Sequence, residues 1–149
     1  MGQSKVKEAL ACMSGGFNCA QAILSAYGEE LGLDKKTALQ IACGFGGGMG
    51  RQQEVCGAVT GTYLVLGLKY GRFTKEDVPA REKTYAAVQE FTKLFKERNQ
   101  TTNCRELIGV DFSSGDREII KERAQTICPK VVQDAAEILE IILKESQHV

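Results

Sequence analysis

The sequence is poor in the residues and runs that usually declare a function. It holds one histidine, His148 in the C-terminal tail, which leaves no base for a Ser–His–Asp arrangement and is a poor metal ligand. No C-x-x-C pair occurs, although structural zinc usually takes its ligands in such close pairs. Neither charge is in excess: Lys and Arg number 19 and Asp and Glu 19, with no basic arm or stripe, so nucleic-acid binding has no source of phosphate-neutralising contacts. The most apolar uncharged run, Val55 to Leu68, is 14 residues long, whereas a membrane-spanning helix needs about 20. The N-terminal segment lacks the apolar centre and cleavage site of a secretory leader, and Met1-Gly2 with Ser4 fits the myristoylation pattern poorly. Together these absences lead to an expected cytoplasmic protein with no membrane insertion and no nucleic acid.

Cysteine, by contrast, is plentiful. Six of them in a reducing compartment, where persistent structural disulfides are rare, are the main clue to function. The 149 residues, 43% hydrophobic and 26% charged, suit one domain over residues 1–149. A chain of this length buries about 70% of its unfolded surface and needs no covalent staple.

The periodicity is helical throughout, with no strand signal and no internal repeat, so the expected class is all-α, a bundle of six or seven helices. Val6, Ala9, Leu10 and Met13 form one stripe, stopped by Gly15-Gly16. Asn18 caps a second helix to about Gly32, with Ala20, Ile23, Leu24 and Tyr27 inside, and Asp34 caps a third through Ala38, Leu39, Ala42 and Cys43. The run "GFGGGMGR", 44–51, breaks that helix, since glycine costs about 1 kcal/mol relative to alanine in a helix. A fourth helix from about Glu54 to Tyr70 is apolar nearly all round and is expected to be the central, most buried element. A fifth runs from Asp77 to Arg98, with Pro79 tolerated in its first turn. A short turn follows at "CRELIG". Ser113 or Ser114, with Asp116, caps a short sixth helix that Pro129 ends, and Pro129 opens a seventh to about Glu145.

Cys12 and Cys43 fall on apolar helical faces and read as small buried hydrophobes. The other four fall at expected helix N-termini: Cys19 after Asn18, Cys56 early in its helix, Cys104 after Asn103, and Cys128 just before Pro129. Unpaired N–H groups and the helix dipole favour an anion there, and such placement lowers a thiol from about 8.5 to about 3.5–7.5. The four follow one another by 37, 48 and 24 positions, which matches no common metal framework. A dithiol–disulfide pair asks less, only two Cα atoms within roughly 4.4–6.8 Å.

Gly57 and Gly61, one turn apart, allow close helix packing and leave the Cys56 sulfur reachable. "GFGGGMGRQQ" with Arg51 is a weak candidate anion nest and a better candidate for the sharp connection that delivers Cys56. Glu8, Glu29, Glu30, Glu137 and Glu140 read as solvated faces, with no acid–base dyad.

The segments "GGFNCAQAIL", "GFGGGMGRQQEVCGAVTGTYLVLGLKYG", "NCRELIG" and "CPKVVQDAAEIL" resemble the C-GCAxxG-C-C family of redox-active proteins, over most of the chain from about Gly16 to Leu139. The core signature stands here as Cys56-Gly57-Ala58-Val59-Thr60-Gly61. The resemblance maps the four family cysteines onto Cys19, Cys56, Cys104 and Cys128, leaving Cys12 and Cys43 outside. It also implies catalytic sulfur, since some members are selenoproteins.

Three readings follow. In the first, Cys56 is the attacking or electron-carrying thiolate of a cytoplasmic thiol redox protein, resolved by Cys19, Cys104 or Cys128, with a small thiol or redox protein as partner and no cofactor required. In the second, the four cysteines bind zinc or an iron–sulfur cluster. In the third, the cysteines are packing residues of a helical scaffold. The pairing partner of Cys56 and the oligomeric state stay open.

Overall fold

The computed structural model describes residues 3–146; Met1, Gly2 and residues 147–149, His148 among them, lie outside the described residues. Seven helices account for most of it: α1 (Val6–Ser14), α2 (Cys19–Gly28), α3 (Lys35–Ala42), α4 (Gly57–Tyr70), α5 (Val78–Asn99), α6 (Cys104–Ile108) and α7 (Arg117–Ser146). No strand occurs among the described residues; the one β-type feature is an isolated antiparallel bridge between Val55 and Asn103. Among the described residues no helix is long and apolar enough to cross a membrane.

The helix starts are set locally. Asn18 makes a capping box with Gln21, accepting from its N–H at 2.9 Å and donating its own N–H to Gln21 Oε1 at 3.0 Å. Asp34, Asp77 and Asn103 accept from Thr37, Ala80 and Glu106 N–H groups at 2.9–3.1 Å. The α7 start differs from expectation in its cap: Asp116 accepts from Glu118 N–H at 2.8 Å, while Ser113 turns to Asp111.

All but two of the buried apolar side chains, Cys104 and Ile108, form one cluster. At its centre lies α2, packed by α1, α3, α4 and α7, with all ten residues buried. Helix α4 starts three residues later than expected and is not the most buried. It is enclosed from Gly57 to Thr62 but surfaces at Leu68, 41% exposed.

The second correction is at Pro129. One helix, α7, runs through it from Arg117 to Ser146 instead of two meeting there. The missing N–H and ring clash cost roughly 3 kcal/mol in a helix interior. Val131, Val132, Ala135 and Leu139, all buried on the core side, outweigh that cost.

Glu140 also departs from its expected solvated role. Its Oε2 accepts from the buried Tyr27 hydroxyl, from Ser4 Oγ at 3.1 Å and from Lys5 N–H at 2.9 Å, tying α1 and α2 to α7.

Candidate functional site

The glycine run forms a turn of left-handed helix. Gly47, Gly48, Met49, Gly50 and Arg51 all have φ between 61° and 66°. Each non-glycine residue there costs roughly 1–2 kcal/mol, since Cβ crowds the following carbonyl. Hydrogen bonds from Gln53 N–H to the Gly47 carbonyl (3.0 Å) and Glu54 N–H to Gly48 (2.9 Å) hold the turn. The N–H groups of Arg51, Gln52, Gln53 and Glu54 are all taken up this way, so no anion nest is formed by them. Gly48 is needed twice over: its φ is +66°, and a Cβ would stand 2.6 Å from Cys104 Cβ and 2.7 Å from Gln53 Cα.

Beyond the turn, Gln53 acts as a clip. It is 6% exposed, its Nε2 donates to the Val110 carbonyl at 2.9 Å, and its Oε1 accepts from Phe112 N–H at 2.8 Å. The next residues pair with the segment before α6: Cys56 N–H donates to the Thr102 carbonyl at 2.8 Å and Cys104 N–H to Glu54 at 2.7 Å, either side of the Val55–Asn103 bridge. Cys56 and Cys104, 48 positions apart, are thereby fixed to one small patch of backbone.

The signature glycines bring Cys56 to Cys19. A Cβ at Gly57 would lie 3.0 Å from Ala20 N and 3.2 Å from Cys19 Cβ, and one at Gly61 would lie 3.0 Å from the Ala20 carbonyl. Their missing side chains let α4 lie directly on the backbone of α2, which is the close packing that the spacing suggested. Helix α7 supplies Cys128. All four cysteines then line one cavity of about 40 Å³, shared with Gly48 and Phe112.

The structure places three of the four at helix starts. Cys56 is the N-cap of α4, and Cys19 and Cys104 are the first residues of α2 and α6. Cys128 is mid-helix instead, because α7 continues through Pro129. Cys12 is half-buried, its sulfur 3.5 Å from Ser25 Oγ. Cys43 is exposed, contrary to its expected burial: α3 ends at Ala42 and Cys43 opens a short 3₁₀ turn, Cys43–Phe45, that leads into the glycine run. All six thiols are free.

Burial, not the helix dipole, governs most of these thiols. Desolvation pushes Cys56 up to about 12, although the N–H groups of Ala58 and Val59 pull the other way, and pushes Cys104 up to about 11. Cys19 is raised well above the usual thiol range, first by its hydrogen bond to Cys128, then by burial. Cys128 alone of the four is lowered, because the Cys19 S–H donates to its sulfur. Of the four, the half-buried Cys128 is the one held below the ordinary thiol range, and Cys56 is held above it.

An outer cleft of about 500 Å³ opens beside this cavity. Cys19 and Cys128 line both spaces; Cys56 and Cys104 line only the inner one, and Cys43 stands on the rim of the outer one. The inner cavity is far below the roughly 300–1,000 Å³ of an organic-ligand site, whereas the cleft is within it. Among the described residues no group of three or more His, Cys, Asp or Glu side chains is placed to hold a metal ion.

Sequence reasoning missed Gln53, Phe112 and the rim position of Cys43. Gln53 and Phe112 lie in segments without periodicity, and only their long-range hydrogen bond links them.

The chain matches none of the curated proteins and none of the solved structures. Where the family name writes Gly-Cys before Ala-x-x-Gly, this chain has Cys56-Gly57. Residues 17–142 match the family described as "Putative redox-active protein (C_GCAxxG_C_C)", and the chain belongs to it.

Proposed function

We propose that this protein is a cytoplasmic thiol–disulfide exchange protein in which Cys128 and Cys19 form the reacting pair. The observation that carries the reading is that these two cysteines, of the four around the inner cavity, also line the cleft from which a substrate would come. Six free cysteines fit a reducing compartment.

The Cys128 thiolate attacks one sulfur of a disulfide RSSR. The substrate S–S bond breaks, a Cys128–SR mixed disulfide forms, and RS⁻ leaves with the bonding electron pair. This step removes the Cys128 anion, the main cause of the raised Cys19 pKa. Cys19 then gives its proton to the departing thiolate and attacks the Cys128 sulfur. The second RS⁻ leaves, a Cys19–Cys128 disulfide remains, and two electrons have passed to the substrate. A small thiol or a redox partner's dithiol returns the pair by the reverse steps. Cys56 and Cys104 line only the inner cavity and not the cleft from which a substrate would come.

Anaerobic titration of the reduced protein with a small disulfide, counted by residual thiols and followed by metal analysis, tests the reading. The expected result is loss of two of the six thiols per chain with no new linkage between chains. Six unreactive thiols would favour a scaffold, and stoichiometric zinc or iron on the protein as isolated would favour the metal reading.

A further inference from the structure

The outer cleft says what kind of small disulfide the pair takes. Its lining carries one charged side chain among the described residues, Arg51. That residue is held at φ 65°, in a conformation that a non-glycine residue adopts only under constraint. Its stem lies across the turn, with Cγ 3.1 Å from where a Gly47 Cβ would be. Among the described residues its guanidinium has no hydrogen-bond or ion-pair partner. Arg51 also lines a neighbouring cleft of about 550 Å³ with Glu54 and Asp111, of which Asp111 pairs with Arg105 at 3.1 Å. The cleft thus has a reacting sulfur, Cys128, and a planar cation, Arg51, in its lining, in a volume of about 500 Å³.

Resting on the exchange reading above, we propose that the cleft binds a carboxylate-bearing low-molecular-weight thiol in its disulfide form, with Arg51 taking the carboxylate while Cys128 attacks the sulfur. A guanidinium presents parallel N–H donors that match a carboxylate, and it stays charged at any working pH. The Asn18 amide, also on the lining, is spent on the Cys43 carbonyl at 3.1 Å, which leaves the anion to Arg51. Bonds and electrons balance as in the general exchange: RSSR accepts two electrons from the Cys128–Cys19 dithiol and leaves as two carboxylate-bearing thiols.

The test measures second-order rates of Cys19–Cys128 disulfide formation with three probes: glutathione disulfide, which carries carboxylates, neutral hydroxyethyl disulfide, and cationic cystamine. Arg51→Gln should slow the reaction with glutathione disulfide about fivefold, corresponding to ~1 kcal/mol for one exposed ion pair. It should leave the hydroxyethyl disulfide rate in place and speed cystamine, and Arg51→Lys should recover part of the glutathione disulfide rate. The unchanged neutral rate doubles as the check that the variant is folded. Equal slowing of all three probes, or of none, overturns the assignment of Arg51 while leaving exchange intact. If wild type forms no internal disulfide with any probe, the exchange reading itself fails, and this inference with it.

Discussion

Adding a single methyl group at Gly48 is expected to cost about 3 kcal/mol or more, a large share of the roughly 5–15 kcal/mol by which domains are stable. Two costs combine. A Cβ at φ +66° is strained by roughly 1–2 kcal/mol. It would also meet Cys104 Cβ and the Gln53 and Glu54 backbone at 2.6–2.7 Å, and those atoms have no flexible end to move aside; overpacking of this kind costs typically 1–3 kcal/mol. Gly50 separates the two. Its φ is +61°, but the nearest atom to an added Cβ is 3.9 Å away, so Gly50→Ala should show the conformational cost alone, about 1 kcal/mol. Urea denaturation of both variants measures the difference. Equal effects would mean that Gly48 is not pressed against Cys104 and that the cavity wall is looser than described.

The second large effect is on the chemistry. Cys128→Ser should abolish release of the first thiol equivalent from a disulfide substrate, and with it the second, a loss on the order of 100-fold or more, since a hydroxyl is no nucleophile at neutral pH. Cys56→Ser should leave the first exchange step nearly intact. The pH dependence separates the candidates further. The rate should rise with pH and level off at a value below the ordinary thiol range, because Cys128 is lowered. Cys19→Ala removes the donor that lowers it, so the midpoint of the first-step profile should move to higher pH. These profiles are best measured with Cys43→Ser in place, to remove the exposed thiol. If Cys56→Ser proves as damaging to the first step as Cys128→Ser, attack begins at the α4 start after all.

What the sequence made legible was local. The side chains that begin helices, Asn18, Asp34, Asp77 and Asn103, act on N–H groups three residues on, and their positions carry over directly. The grouping of Cys19, Cys56, Cys104 and Cys128 also carries over, through the glycines at 57 and 61 that allow α4 onto α2.

Other features depend on the whole fold. Pro129 reads as a break because the local penalty is visible, while the buried face of α7 that overrides it is not. The expected acidic thiol at Cys56 failed for a reason of magnitude. A helix terminus contributes roughly 0.3–1 kcal/mol, whereas full burial shifts a titratable group by up to 3–5 units. The lowering at Cys128 comes from Cys19, 109 positions away, and no local pattern signals it. The left-handed conformation of Met49 and Arg51 is imposed by backbone bonds across the turn; glycine density marked a break there, not its hand.

The most direct measurement is peptide mapping of the protein after oxidation by a limiting amount of small disulfide. Under denaturing, thiol-blocked conditions the digest should contain one cross-linked pair, the peptide of Cys19 joined to that of Cys128. A bond from Cys56 to Cys104 with Cys19 and Cys128 both free, or linkages confined to Cys12 and Cys43, would contradict the pairing at the mouth of the cleft.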